Sequence, residues 1–250
     1  MQYGVLTICL DAAATIGKTI DSVLRQSRPP CHYLFVDGGS SDATRAVIEA
    51  ERERAERLGV RFELLEQAPL APGAAGIPSA WNQGLRKLRG DVLFLLNADD
   101  WYEREDAAVR VLEALDREPN AGMAVCPVVL RREPGAPPEK ILRPRWPGLL
   151  PVLMPVPHPG CFVRREVYER VGGYDERYAI SADYDFIWRC RNTGIGRVII
   201  PTPLVGMRTG GRARQQRRRA RKETCEIACR YCRLPLFPRL AYLIRTISNR

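Results

Sequence analysis

Val92-Leu93-Phe94-Leu95-Leu96-Asn97-Ala98-Asp99-Asp100 joins an uninterrupted apolar run to a short acidic exit. A run of this kind, with no alternation that would leave one face wet, suits a strand buried on both faces of a parallel sheet. Its end delivers two adjacent carboxylates to the rim of that sheet. Hard divalent cations such as Mg²⁺ or Mn²⁺ take oxygen ligands and commonly share them with substrate phosphates, so Asp99 and Asp100 are candidate metal ligands. The same two residues could instead cap a following helix, a task Asp performs well.

Working toward the N-terminus, strand and helix signals alternate. Tyr3 to Leu10 reads as a strand, and Ile16, Ile20, Val23 and Leu24 recur at helical spacing after Thr15. Pro29-Pro30 ends that helix, His32 to Val36 is a second strand, and Asp37-Gly38-Gly39-Ser40-Ser41-Asp42 turns into a charged helix over Ala43 to Arg57. Val60 to Leu65 supplies a third strand, and after a loop running to Pro78 a helix opens at Ser79 and ends near Gly90.

This alternation predicts an open α/β sheet of Rossmann-like type with helices on both faces, whose ligands bind beyond the carboxyl ends of the strands. Both polar clusters, 37–42 and 97–100, fall at such ends. Asp37 could accept a hydrogen bond from a base N–H or a ribose hydroxyl, and Gly38 lets a ligand approach the backbone. An ordinary strand-to-helix turn with Asp42 as cap accounts for the same residues.

Toward the C-terminus a helix is predicted over Glu105 to Arg117 and a strand over Gly122 to Leu130. The proline-rich stretch 131–159 reads as an irregular excursion, followed by strand-like Cys161-Phe162-Val163 and a helix over Arg165 to Val171. Ala182-Asp183-Tyr184-Asp185 then leads into an apolar helix. A carboxylate can act as general base when it is held near a hydroxyl, and one of this pair could do so; Asp183 as a simple helix cap is the plainer reading.

Taken together, the segments resemble a family 2 glycosyltransferase with the GT-A fold, of the non-processive type found in bacterial polysaccharide or glycolipid assembly. The resemblance covers residues 3 to 211 and rests on Thr19 to Gln26, Val36 to Asp42, Gly76-Ile-Pro-Ser-Ala-Trp-Asn-Gln-Gly84, Gly90-Asp91, Leu96 to Trp101, His158-Pro159, Gly172-Gly-Tyr-Asp175 and Ala182 to Asp185. It implies a nucleotide-sugar-binding half over 1–100, an acceptor and catalytic-base half over 101–211, and outside both a basic, amphipathic helical tail over 212–250. The implied reaction is inverting transfer of one sugar from a nucleoside-diphosphate sugar to a hydroxyl acceptor, dependent on Mg²⁺ or Mn²⁺.

Carried over residue by residue, the resemblance implies that Asp37 contacts the base, with Leu10, Asp11 and Gly38 around it, and that Asn82 lies near the donor. Asp99, with Asp100, would bind the metal and diphosphate. Asp183 would deprotonate the acceptor, with Asp185 as second choice, and His158 would face the acceptor. Arg208, together with Arg212, could close over the diphosphate. The sequence departs from the family pattern at Asn97, where an acid is usual, at Ala182, where Glu is common, and at Asp11, where Asn is common. Gln215-Gln-Arg-Arg-Arg219 lacks the Trp of processive polymerases.

The formal charge of +10 is uneven: Gly206 to Arg250 holds 13 Lys/Arg against 2 Asp/Glu, leaving residues 1–205 near neutral. Such a tail could serve a nucleic-acid-binding module, the alternative reading, but no aromatics interleave its basic run. An anionic membrane surface suits it better, since Leu234, Leu236, Phe237, Leu240, Tyr242, Leu243, Ile244 and Ile247 follow the charges; a solvated charge run followed by a helix that packs on the body accounts for the same residues. With no run near the roughly 18–20 apolar residues of a span and no signal-like start, the expectation is a cytoplasmic protein, peripheral on the inner face of the cell membrane, with a lipid-linked acceptor. Of the eight cysteines, Cys9, Cys31, Cys126, Cys161 and Cys190 are scattered singly and are expected to be reduced core residues. Cys225, Cys229 and Cys232 have a spacing that can hold an iron–sulfur cluster, but it is also one face of a helix, which is the simpler account.

Overall fold

The computed structural model describes residues 1–145, 147–210 and 216–247. Its first half follows the expected alternation: β1 (Tyr3–Cys9), α1 (Ile16–Leu24), β2 (His32–Asp37), α2 (Thr44–Ala50), α3 (Arg52–Arg57), β3 (Arg61–Glu66), α4 (Gly76–Lys87) and β4 (Val92–Leu95). The charged helix is interrupted at Glu51, and α4 begins at Gly76 rather than Ser79. Pro78 falls in the first turn of α4, where a missing N–H costs no intrahelical bond, so the proline does not mark the end of the loop.

The second half holds β5 (Asp100–Tyr102), α5 (Ala107–Arg117), β6 (Ala121–Val125), β7 (Val128–Arg131), β8 (Lys140–Leu142), β9 (Cys161–Arg164), α6 (Arg165–Val171), α7 (Ala182–Asn192), β10 (Gly196–Ile199) and β11 (Val205–Arg208). Helices α8 (Arg217–Tyr231) and α9 (Leu236–Ile247) close the chain. The strand expected over Gly122 to Leu130 is two strands in two sheets, because the chain leaves one sheet at Cys126-Pro127 and enters the other. The excursion at 131–159 contains β8, and β10 and β11 carry too little pattern to be read in advance.

The large sheet has the order β10-β6-β9-β4-β1-β2-β3, with β4, β1, β2 and β3 parallel and β9 antiparallel to both β4 and β6. Strand β4 sits in its middle, with Val92 and Phe94 in one core and Leu93 and Leu95 in the other. Helices α1 and α5 cover the first face and α4, α6, α7 and α8 the second. This is the predicted α/β architecture. Asp100 opens a strand, not a helix, so the capping explanation of the acidic pair does not apply.

The small sheet, β5-β11-β7-β8, brings the chain back to the acidic exit of β4, since β11 pairs antiparallel with β5 and sets Met207 opposite Asp100. Beyond it, Ile227 and Ala228 of α8 are buried in the second core, so this helix of the tail is packed into the body. Its apolar positions mark the inner side of a charged helix. All eight cysteines are unpaired.

Helix α4 lies against β1 at Gly84, where an added methyl would run into the buried Leu6 side chain. Alanine there gains about 1 kcal/mol of helix propensity but overfills a packed core, at a cost of about 1–3 kcal/mol or more. Gly84→Ala is therefore expected to lower the denaturant midpoint in urea unfolding monitored by circular dichroism.

Candidate active site

A cleft of about 780 Å³ opens at the carboxyl ends of β1 and β4, walled by the 8–12 loop, Gly38, Gln67, residues 97–100, His158, residues 179–180 and 182–183, and Met207 to Gly210. Its floor is the place where the sheet runs out of hydrogen-bonded neighbours and its strands release polar loops.

On the nucleotide side, Leu10 is half exposed, and Asp11 is the one non-glycine residue among those described with positive φ, +47°. Asp tolerates this left-handed conformation better than most residues. Here it is tied down: the Asp11 carboxylate accepts hydrogen bonds from Ser41 N (2.8 Å) and Ser41 Oγ (3.1 Å), while Asp11 N donates to Ser40 Oγ (3.0 Å). The loops after β1 and β2 are thus held as one wall. Asp37 behaves differently from expectation, since its carboxylate is fully buried and accepts from Ser40 N, Ser40 Oγ and Arg45 Nη1, with Cys9 Sγ at 3.6 Å. It braces the turn from inside, and the neighbouring Gly38 is what reaches the cleft.

At the exit of β4, Asp99 and Asp100 crowd together. Burial, followed by the charge of Asp99, holds the Asp100 carboxyl well above the usual carboxylate range. Asn97 Nδ2 (3.0 Å) and the Arg208 backbone N–H are its compensating donors. Burial also raises Asp99, opposed by the nearby Arg208 guanidinium. Two crowded carboxyl groups with few donors form an oxygen-rich site that a hard divalent cation would relieve, so these residues fit Mg²⁺ or Mn²⁺. Arg208 is exposed at the end of β11 and makes no salt bridge with the described residues. Arg212 lies outside the described residues.

The opposite wall carries His158 and Asp183. Helix α7 begins with Ala182 after Ser181, which puts Asp183 in its first turn. Burial raises the Asp183 carboxyl to about 6, against the lowering effect of the Tyr184 N–H (2.8 Å). His158 stacks beside Trp81, ring centroids 4.7 Å apart, and its Nε2 lies 3.0 Å from Tyr174 Oη. Burial pushes its pKa down to about 4, leaving a neutral ring at pH 7.

Two expected site residues point elsewhere. Asn82 bonds Tyr174 N (2.7 Å), Tyr174 O (2.8 Å) and Glu176 Oε1 (2.8 Å) at a separate surface cavity, and does not line the cleft. Along α4 the positions facing the cleft include Ile77, Ala80 and Trp81, and Asn82 is rotated one residue off that stripe. Asp185 is buried, bonded to Arg189 Nε (2.8 Å) and Tyr231 Oη (2.9 Å), away from the cleft. Sequence reasoning passed over Gln67 and Trp81; helical spacing within Gly76 to Gly84 could have found Trp81, whereas Gln67 has no pattern to reveal it.

The fold and cleft define a glycosyltransferase of GT-A type. The structure of S. aureus TarS 1–349 in complex with UDP-GlcNAc matches with a TM-score of 0.67 at 13% identity, over 97% of this chain and 70% of that one. The mannosyltransferase PcManGT of Pyrobaculum calidifontis, in complex with GDP-Man and Mn²⁺, gives 0.66 at 19% identity, over 96% and 68%. Against the longer TarS chain, this protein spans 39% of the length. The PGL/p-HBAD biosynthesis glycosyltransferase of Mycobacterium tuberculosis is 26% identical over 76% of this chain and 69% of its own. Residues 5–172 match glycosyl transferase family 2, and the chain belongs to that family. Membership decides for the enzyme over the nucleic-acid module as the reading of the body.

Asp185→Asn is expected to remove a structural ion pair and leave the cleft intact. Breaking a fully enclosed pair costs about 3–5 kcal/mol; with the Arg189 side chain 21% exposed, a loss of about 1–3 kcal/mol is expected. Urea unfolding together with nucleotide binding checks this, and unchanged stability with lost turnover would return Asp185 to the chemistry.

Proposed function

We propose that the protein transfers one sugar from a nucleoside-diphosphate sugar to a hydroxyl acceptor with inversion, in surface polysaccharide or glycolipid assembly. The observation that carries this reading is that a crowded acidic pair, Asp99 and Asp100, and a separate carboxylate of raised pKa, Asp183, line the same cleft from different elements. A single displacement needs those two functions, one at the leaving group and one at the nucleophile. The names of the similar proteins support it: two were solved with UDP-GlcNAc or with GDP-Man and Mn²⁺, and one belongs to PGL/p-HBAD biosynthesis.

Asp99 and Asp100 would hold Mg²⁺ or Mn²⁺, which when bound supplies positive charge to the leaving diphosphate. Arg208 adds its guanidinium beside Asp99, and Leu10, Asp11 and Gly38 line the nucleoside end. The neutral His158 ring orients the acceptor hydroxyl, and Asp183 accepts its proton. A pKa near 6 suits this role, since the group is ionised at pH 7 yet more basic than an ordinary carboxylate.

Asp183→Asn is expected to leave donor binding intact and reduce kcat by about 10²–10⁴-fold, while Asp99→Ala weakens cation-dependent nucleotide binding. Because Asp183 must be ionised, kcat/KM should fall with unit slope as pH drops below about 6. Calorimetry with UDP and Mn²⁺, and turnover across a panel of nucleotide sugars, measure both. Full turnover by Asp183→Asn, or equal binding by wild type and Asp99→Ala with and without EDTA, overturns the reading.

The acceptor is lipid-linked in this proposal, and α9 docks the enzyme on the anionic, cytoplasmic face of the membrane. Among the described residues no helix is long and apolar enough to cross a membrane. Leu236, Phe237, Leu240, Leu243 and Ile244 form one apolar stripe on α9, each 51–75% exposed, with exposed Arg233 and Arg239 beside it and Arg217, Arg218 and Lys222 on α8. An apolar face combined with clustered positive charge matches an anionic lipid surface. A deletion after Arg233 spares Ile227 and Ala228, which a cut after Arg214 would strip from the core. In flotation with anionic liposomes at low salt, the full chain should rise with the lipid and the deletion should not; both remaining behind would refute docking.

A further inference from the structure

Helix α8 does more than fill the second core. Its Glu223 side chain is 9% exposed and enters the body just ahead of α7, where Oε2 accepts hydrogen bonds from Ile180 N (2.9 Å) and Ser181 N (2.9 Å) and Oε1 from Ala179 N (3.2 Å). Arg219 Nε, one turn earlier on α8, donates to Oε1 at 2.8 Å. Ser181 is the cap residue of α7 but makes no side-chain cap bond; its hydroxyl lies 3.3 Å from Ala220 O and from Thr224 Oγ1, both on α8. The donors that precede α7 are therefore satisfied by a carboxylate from another helix, a charge-assisted arrangement stronger than neutral capping.

What those amides carry is the acceptor wall of the cleft: Ala179 and Ile180 line it directly, and Ala182 and Asp183 follow them. The same helix grips α7 again lower down, where Tyr231 stacks on Trp188 with centroids 5.8 Å apart and bonds Asp185 (2.9 Å). The geometry points to Glu223 as a positioning residue for the transfer reaction: its carboxylate fixes the 179–181 backbone and so holds Asp183 in reach of the acceptor hydroxyl. This rests on Asp183 being the base.

Glu223 also supplies a charge from α8 that raises the Asp183 pKa, a smaller influence than burial and than the backbone N–H groups of Tyr184 and Asp183 that lower it. Among the described residues, Tyr174 and Cys161 near Asp183 are both pushed upward by burial and stay neutral at working pH, as does His158 on the same wall, whose pKa burial lowers to about 4. Arg219 stands behind Glu223 and offsets its charge.

Three variants test the role in kinetics with donor and acceptor varied separately. Glu223→Gln keeps the shape but replaces an accepting oxygen with an NH₂ that opposes a backbone N–H. It should lower kcat about 10- to 100-fold, as misplacing a reacting group does, raise the acceptor KM and leave nucleotide binding unchanged. The acid limb of its kcat/KM profile should move to lower pH. Glu223→Asp keeps the charge, so that limb should stay in place. Arg219→Ala, at a side chain 55% exposed, should move the limb upward by unmasking Glu223.

A merely structural Glu223 would lower the melting temperature without moving the limb in either direction, and that result overturns the inference. So does a wild-type kcat and pH profile for Glu223→Gln when Asp183→Asn is inactive. Full activity of Asp183→Asn would instead remove the base assignment on which both proposals stand. If Glu223→Gln fails to fold, Arg219→Ala decides alone, and an unmoved limb overturns the inference.

Discussion

Burial of β4 on both faces constrains everything else in this protein. Its residues 92–95 are at most 5% exposed, with alternate side chains in opposite cores, so no polar group can be placed along the strand without stranding it away from water. Chemistry is pushed to the point where the strand ends, and there Asn97, Asp99 and Asp100 emerge together. The same two-sided burial requires helices on both faces, and the second-face helices α4 and α7 begin near that rim and bring in Trp81 and Asp183. The position of the cleft is thus a consequence of how the hydrophobic layers close.

The electrostatics of the rim follow from its dryness. Asp100 is deeply enclosed and sits beside a second carboxylate, a combination that favours protonation or a bound cation over two bare charges. The small sheet supplies the partial answer from protein alone, because β11 runs back past β5 and leaves the Arg208 backbone amide on Asp100 and its guanidinium near Asp99. On the far wall no cationic side chain lines the cleft among the described residues. Asp183 is held by its neighbours' backbone and raised by burial, which suits a group that must take up a proton.

The C-terminal segment divides into two parts with different physical fates. Helix α8 turns Ile227 and Ala228 inward and commits Glu223 and Tyr231 to hydrogen bonds with the body, while α9 leaves its apolar stripe in the open. The two are joined, since Cys225 and Cys229 of α8 donate to the carbonyls of Pro238 and Pro235 at the start of α9. An enzyme that takes a lipid-linked acceptor would gain from such a connection, because the surface proposed to meet the lipid is one helix away from the wall that carries Asp183.

How much of this could be read beforehand depends on the range of the forces involved. Period and polarity are local, so the strands and helices of the first half, the two-sided burial of β4 and the acidic exit at Asp99 and Asp100 were legible in the chain itself. Orientation was not: Asn82 and Asp185 lie one or two residues from Trp81 and Asp183, and only packing shows which of each pair turns to the cleft and which is spent on Tyr174 and Glu176 or on Arg189 and Tyr231. Asp37 sits at the predicted strand end, yet its carboxylate is drawn inward by Ser40 and Arg45. Glu223 was invisible, since an acid at the end of a basic run has no local signal, and its backbone partners lie 42 to 44 residues away in sequence. The sequence by itself determined the layers and where their polar ends fall, because hydrophobic periodicity is written in neighbouring residues. Tertiary structure alone decided which carboxylates face the cleft, because that depends on donors and charges that only folding brings within a hydrogen bond's reach.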